Sequence, residues 1–160
     1  MSVPRPASLT STRRVLTIAI AALALAGAQA PQTGLKIERL DILTGRGPAH
    51  FTVQMADTPA SREKGLMFVR SLGRDKGMLF DFKVVQPVSF WMKNTLIPLD
   101  MVFIAANGRV VSIASNAVPM SETPISSGGP VLGVLEIAGG RAAQLGLEPG
   151  DRVKARIFHP

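Results

Sequence analysis

The only tryptophan of the chain, Trp91, is followed closely by Lys93, Asn94 and Thr95, and then by Asp100. All lie in the run Phe90–Ile104, FWMKNTLIPLDMVFI, where apolar residues flank the polar group on both sides. An indole face beside an ammonium, an amide, a hydroxyl and a carboxylate can hold a small polar ligand, and a sugar-like ring suits such a platform. A purely structural alternative stands next to it. Asn94 and Asp100 would bind backbone amides at a corner, Lys93 would pair with Asp100, and Trp91 would fill a peripheral core.

Glu136 carries the second chemical question. It shares a strand face with Leu132 and Val134, and a carboxylate there is costly unless paired. Lys93, Arg62 and Arg141 are its candidate partners. Alternatively, Glu136 and Asp100 could form a carboxylate pair for acid–base work on envelope glycans, as a hydrolase or lyase requires. Arg62 lies three residues before Gly65; its guanidinium can bond loop carbonyls or reach an anionic group of a ligand.

Other chemistries are disfavoured by residue type. There is no cysteine, hence no disulfide, thiolate metal site or cysteine nucleophile. Only His50 and His159 could serve a serine nucleophile, and no G-x-S-x-G run occurs. Methionines are numerous but recur at core-facing strand positions, which fits packing better than copper binding. No metal and no cofactor are expected.

These residues need a scaffold of short strands. Gly (15) and Pro (12) are scattered along the chain, which favours many short elements over a helix bundle. Leu35 to Leu43 reads as a strand whose phase slips, suggesting a bulge. After the turn Thr44–Pro48, residues 50–56 alternate with Phe51, Val53 and Met55 on one face. Asp57-Thr58-Pro59 opens a helix through Lys64 that Gly65 stops. Gly77 to Phe82 is a strand. Val88 to Thr95 alternates cleanly, with Val88, Phe90 and Met92 toward the core and Trp91, Lys93 and Thr95 opposite. Asn94 is placed for its amide to bind the corner backbone.

Leu99 to Ala105 is apolar on both faces, as in a central strand, and Asn107-Gly108 turns the chain back into the strand from Arg109 to Ala114. Asn116 to Pro130 is a long irregular segment able to meet a protein partner. Val131 to Ile137 is a strand, residues 139–145 a short helix ended by Gly146, and residues 152–158 a closing strand. The expected fold is mainly β (α+β): an antiparallel or mixed β-barrel with two short peripheral helices.

The first 28 residues read as a signal peptide: basic residues, the run VLTIAIAALALAGA, then small residues. Residues 29–36 would be a linker and 37–160 one domain. The formal charge is +7; Arg5, Arg13 and Arg14 supply three of these, so +4 remains after cleavage. The remaining cations are interspersed with acids, and aromatics make up 5%. No nucleic-acid partner is therefore expected. The expected location is periplasmic or secreted, with no stable membrane insertion after cleavage.

Several runs together resemble the DUF192 family: RxxGLM at Arg62 to Met67, GMLF at Gly77 to Phe80, FWMKNTLIPLDMVFI, Pro119, VLGVLEI from Val131 to Ile137, and AGGRAAQLGLEPGD from Ala138 to Asp151. The resemblance spans roughly Ile37 to Phe158. It implies a compact, exported, β-rich domain with no established activity, and it supplies no catalytic residues. The residues themselves leave three functions open: a binding module for a small polar or carbohydrate-like ligand using Arg62, Trp91, Lys93, Asn94, Thr95, Asp100 and Glu136; a glycan-cleaving enzyme using Asp100 and Glu136; and a protein-interaction domain using residues 116–130.

Overall fold

A computed structural model describes residues 29–159; the expected signal peptide lies outside the described residues. Pro31–Pro160 forms one compact unit. Its strands are β1 (Ile37–Thr44), β2 (Gly47–Ala56), β3 (Lys76–Gln86), β4 (Ser89–Phe90), β5 (Leu99–Ile104), β6 (Val110–Ala117), β7 (Ile125–Ser126), β8 (Val131–Ala138) and β9 (Arg152–Lys154). The helices are α1 (Pro59–Lys64) and α2 (Arg141–Leu145).

Seven strands form one sheet in the order β6-β5-β8-β3-β2-β1-β9, and β4 and β7 pair separately. The sheet is mixed, because β2 and β3 run parallel on either side of α1 while the other pairs are antiparallel. It curls as a half-barrel until its edges touch. Arg109 and Arg152 form an isolated antiparallel bridge there. The Val110 N–H donates to the Asp151 carbonyl and the Val153 N–H to the Gly108 carbonyl, each at 2.8 Å. The expected closure is thus reached at one short bridge.

The β3-β8-β5 centre of the sheet is apolar on both faces because it separates two cores. Leu79, Val102, Ile104, Leu135 and Ile137 face inward, with Leu40, Ile42, Phe51, Val53 and Met55 from β1 and β2. Met78, Phe80, Met101, Phe103 and Val134 face outward, into a second core with Leu66, Met92 and Leu99. Period-two alternation sends successive residues of each strand into different layers. Each layer therefore has its own cover. Ala142 and Leu147, at α2 and just after it, join the inner core, while Leu66 and Met92 bring the segments after α1 and after β4 onto the outer one.

Two local expectations are corrected. β1 pairs with β2 in unbroken register from Ile37↔Gln54 to Thr44↔Gly47, so it carries no bulge; Leu40 and Ile42 alone face the core. The closing strand stops at Lys154, and the chain then turns so that the Phe158 N–H bonds the Ala155 carbonyl. Before β1, Gln32 Nε2 donates to the carbonyls of Ser61 (3.1 Å) and Gly65 (2.8 Å).

Candidate functional site

One wall of the site is set by how α1 begins and ends. Thr58 Oγ1 accepts from the Ser61 N–H at 3.1 Å, and Ser61 Oγ accepts from the Thr58 N–H at 3.0 Å. This reciprocal cap satisfies two helix-end donors. The helix stops at Gly65, whose φ is +47° and ψ −139°, a region essentially restricted to glycine. A Cβ there would also meet the Phe80 ring at 3.3 Å. The chain then runs over the outer core through Leu66 and Met67.

The opposite wall is the stretch after β4. The expected strand Val88–Thr95 does not continue past Phe90. Asn94 adopts φ +55°, and a left-handed residue breaks the pleat. The stretch is instead clamped by single backbone bonds. The Phe68 N–H donates to the Asn94 carbonyl (2.9 Å), the Met92 N–H to the Ser121 carbonyl (2.8 Å) and the Met120 N–H to the Thr95 carbonyl (3.1 Å). The Asn94 side chain does not bind the corner backbone; its Nδ2 lies 3.8 Å from Met67 Sδ.

Between these walls lies a cavity of about 280 Å³, lined by Arg62–Met67, Phe80, Phe82, Ser89–Trp91, Lys93, Thr95 and Glu136. That is near the lower end of the size range of small-molecule sites, roughly 300–1,000 Å³. Phe90 organises its aromatic side, meeting Phe80 edge-to-face at 5.0 Å and Phe82 at 6.2 Å. Trp91 stays 46% exposed, and Lys93 Nζ lies 5.2 Å from the centre of its ring. Arg62 donates from Nη1 to the Asp81 carbonyl at 2.8 Å and stacks over Phe82 at 5.5 Å. Thr95 is buried, and its hydroxyl lies 3.3 Å from the Lys93 carbonyl.

Glu136 is the chemically unusual member. It is 4% exposed, and its Oε2 has no hydrogen-bond partner among the described residues. In register it is flanked by Met78 of β3 and Met101 of β5, which offer thioethers and no donor. Burial pushes its carboxyl from 4.5 up to about 8, because the charged form is the one penalised by desolvation. At neutral pH it is a carboxylic acid. None of its expected partners bonds it: Arg62 and Lys93 are placed as above, and Arg141 pairs with Asp75 at 2.8 Å.

Asp100 is not part of this cavity. It pairs in register with Ile137, one position from Met101↔Glu136, so the two carboxyls project from opposite faces of the sheet. Asp100 is fully buried beneath α2. Its Oδ1 accepts from the Asn116 and Gly140 N–H groups at 2.8 and 2.9 Å, and its Oδ2 from the Ala142 N–H at 2.7 Å. The expected acid–base pair of Asp100 and Glu136 is therefore not formed, and the expected Lys93–Asp100 ion pair is not made either.

The structure thus brings Arg62, Trp91, Lys93, Thr95 and Glu136 to one cavity and sends the side chains of Asn94 and Asp100 elsewhere. Sequence reasoning missed the rest of the lining, Glu63–Met67, Phe80, Phe82, Ser89 and Phe90. The signal was the alternation of Met78, Phe80 and Phe82, three large apolar groups of one parity on β3. Residues 116–130 are more ordered than expected: β6 extends to Ala117, and β7 pairs with β4 through Ser89↔Ser126 and Phe90↔Ile125. Among the described residues no helix is long and apolar enough to cross a membrane.

Known proteins bear on this geometry as follows. The family model for DUF192, described as "Uncharacterized ACR", matches residues 42–155. A crystal structure from Sinorhizobium meliloti 1021, provisionally named a transcription regulator, is 46% identical and superposes with a TM-score of 0.75, over 77% of this chain and 96% of that one. A protein of unknown function from Novosphingobium aromaticivorans is 46% identical with a TM-score of 0.76, over 78% of this chain and 89% of that one. No curated protein matches the chain.

Proposed function

Because the chain belongs to the DUF192 family, whose description names no activity, we propose its function from the cavity: it is a binding module that holds a small ligand with a polar group between α1 and Trp91. The observation that carries this reading is the unpartnered Oε2 of Glu136. A buried polar atom without a partner costs on the order of 1–3 kcal/mol. A sequence shaped only for stability has simple ways to remove that cost, such as leucine at the same position. An open recess beside the acid, with an exposed indole and two or more cations at its edge, is what a ligand site needs.

The module works outside the cytoplasm in this proposal. Its support is the pattern of the first 28 residues, and an N-terminus beginning at Gln29 in protein recovered from the periplasm or medium would check it. No hydrolytic role is proposed, since the carboxylate pair that would perform it faces two different layers.

A thermal-shift screen of the protein against envelope sugars, muropeptides and small organic acids tests the binding reading. A ligand present at about 100 times its Kd adds roughly 2.7 kcal/mol of stability, which a melting curve resolves. A screen in which nothing shifts the melting temperature of the wild-type protein would end the proposal.

A further inference from the structure

The cavity has three chemically distinct zones, and together they narrow the ligand. The edge carries Arg62 and Lys93 beside one acid, Glu63. The walls are mainly Leu66, Met67, Phe80, Phe82, Phe90 and Trp91, with the hydroxyl-bearing Ser89 and Thr95 as their polar members. The inner end holds Glu136, buried and with Oε2 unpartnered.

Each zone excludes a class of ligand. A cation would meet a positive edge. A neutral sugar would press most of its hydroxyls against hydrocarbon, with only Ser89 and Thr95 to answer them, and each hydroxyl stripped of water without a partner is costly. An anion whose inner end is wholly apolar would leave Oε2 as it is and gain nothing from it. What remains is a flat, largely apolar body with an anionic group at one end and a hydrogen-bond acceptor at the other.

Resting on the reading of this cavity as a binding site, we propose that its ligand is a small ring-bearing organic anion, its carboxylate or phosphate held by Arg62 and Lys93 and its far-end carbonyl or ether oxygen accepting a hydrogen bond from the Glu136 carboxylic acid. Arg62 can do this because Nη1 alone is used by the Asp81 carbonyl, and a guanidinium has further donors. Lys93 stands over the Trp91 ring with its ammonium beside the opening. The aromatic walls stack the ring between them.

The arrangement depends on pH. The charged groups facing Glu136 are Arg62, Glu63 and Lys64 from α1 and Lys93 from the stretch after β4; β3 and β5 present only Met78 and Met101 beside it. As an acid Glu136 donates a proton to the ligand's acceptor. Once ionised it can only accept, and its charge opposes an anion. Burial holds its carboxyl near 8, so affinity falls as pH rises through that value.

Three matched probes separate the elements: 4-acetylbenzoate, which has both ends; 4-ethylbenzoate, which lacks the inner acceptor; and acetophenone, which lacks the anion. Isothermal titration of the full chain at pH 7 is expected to rank 4-acetylbenzoate first, each deletion weakening binding roughly tenfold, the equivalent of one buried hydrogen bond or ion contact. Between pH 7 and pH 9 the affinity for 4-acetylbenzoate should drop, while Glu136→Gln, which keeps a neutral donor, should bind with no such drop. Equal binding of the acetyl and ethyl probes, or the same pH profile in Glu136→Gln, would overturn the assignment. If N-acetylglucosamine binds and the three aromatic probes do not, the ligand class is wrong while the binding reading stands. If none of the four binds at millimolar concentration, both fall.

Discussion

Asp100 and Glu136 lie one register position apart on neighbouring strands, and both are buried. Asp100 points to the inner layer and receives three backbone N–H groups, two of them from the start of α2. Glu136 points to the outer layer, meets two thioether side chains in register, and keeps one oxygen unpartnered. The same functional group, at nearly the same depth, is a structural clamp in one place and an idle donor in the other. Depth alone therefore says little about the role of a buried acid. What its oxygens meet decides it, and that is settled by which face of the strand it leaves from.

The largest expected effect tests the clamp. Asp100→Ala strips three N–H groups of their acceptor at once and loosens α2, whose five residues are too few to hold together alone. A loss of roughly 4 kcal/mol is expected from unsatisfied buried donors, read as a lower denaturation midpoint. Little loss would mean that water replaces the carboxylate and that the contrast with Glu136 is overstated.

The next test has the opposite sign. Glu136 has its folded pKa raised from 4.5 to about 8, so the folded state holds a proton that the unfolded chain gives up between those values. Its contribution is fully present below pH 4.5 and declines as pH rises to 8, by about 1.4 kcal/mol per pH unit. Glu136→Leu removes that titration. The variant should be more stable than the wild type by roughly 3 kcal/mol at pH 7, with a gap that widens from pH 4.5 to 8 and is flat outside that window. Urea unfolding of both proteins at pH 5, 7 and 8.5 checks it. A gap independent of pH would show that Glu136 is ionised and paired in the folded protein.

A smaller effect concerns the wall. Gly65→Ala places a Cβ in backbone space that only glycine occupies comfortably and 3.3 Å from the Phe80 ring. A cost of about 2 kcal/mol is expected. Since that turn shapes the cavity over Glu136, binding of any ligand found should weaken beyond the loss of stability, whereas Asp100→Asn should leave binding by the folded fraction unchanged.

Much of this fold is legible in the chain because its signals are local. The Thr58-Pro59 cap, the Gly65 and Gly146 stops, the turns at Gly45 and Gly108 and the two-faced apolar strand Leu99–Ile104 all follow from a few neighbouring residues. The site was only half legible. Parity along β8 shows that Glu136 shares a face with Val134, and parity along β5 separates Asp100 from Met101. Whether those faces coincide depends on the register Met101↔Glu136, a contact between residues thirty-five positions apart that no local pattern encodes. The break after Phe90 escaped for the same reason: the alternation from Val88 to Thr95 is real, but its strand partner β7 is two residues long, so the bonds that hold residues 91–95 come from Phe68, Met120 and Ser121 instead.

The smallest effect separates the two readings of the polar corner. In the structural reading Lys93 is an ion-pair partner of Asp100, and its removal would cost nearly as much as removing the aspartate. In the structure its ammonium lies over an indole that is 46% exposed, and a cation–π contact at such a site contributes about 0.5 kcal/mol. Lys93→Ala should therefore barely move the unfolding midpoint while altering the emission of Trp91, the sole tryptophan and hence an unambiguous reporter. A destabilisation approaching that of Asp100→Ala would place Lys93 with the clamp. An emission change with stability intact would place it with the cavity, where a cation is useful only to something that arrives from outside.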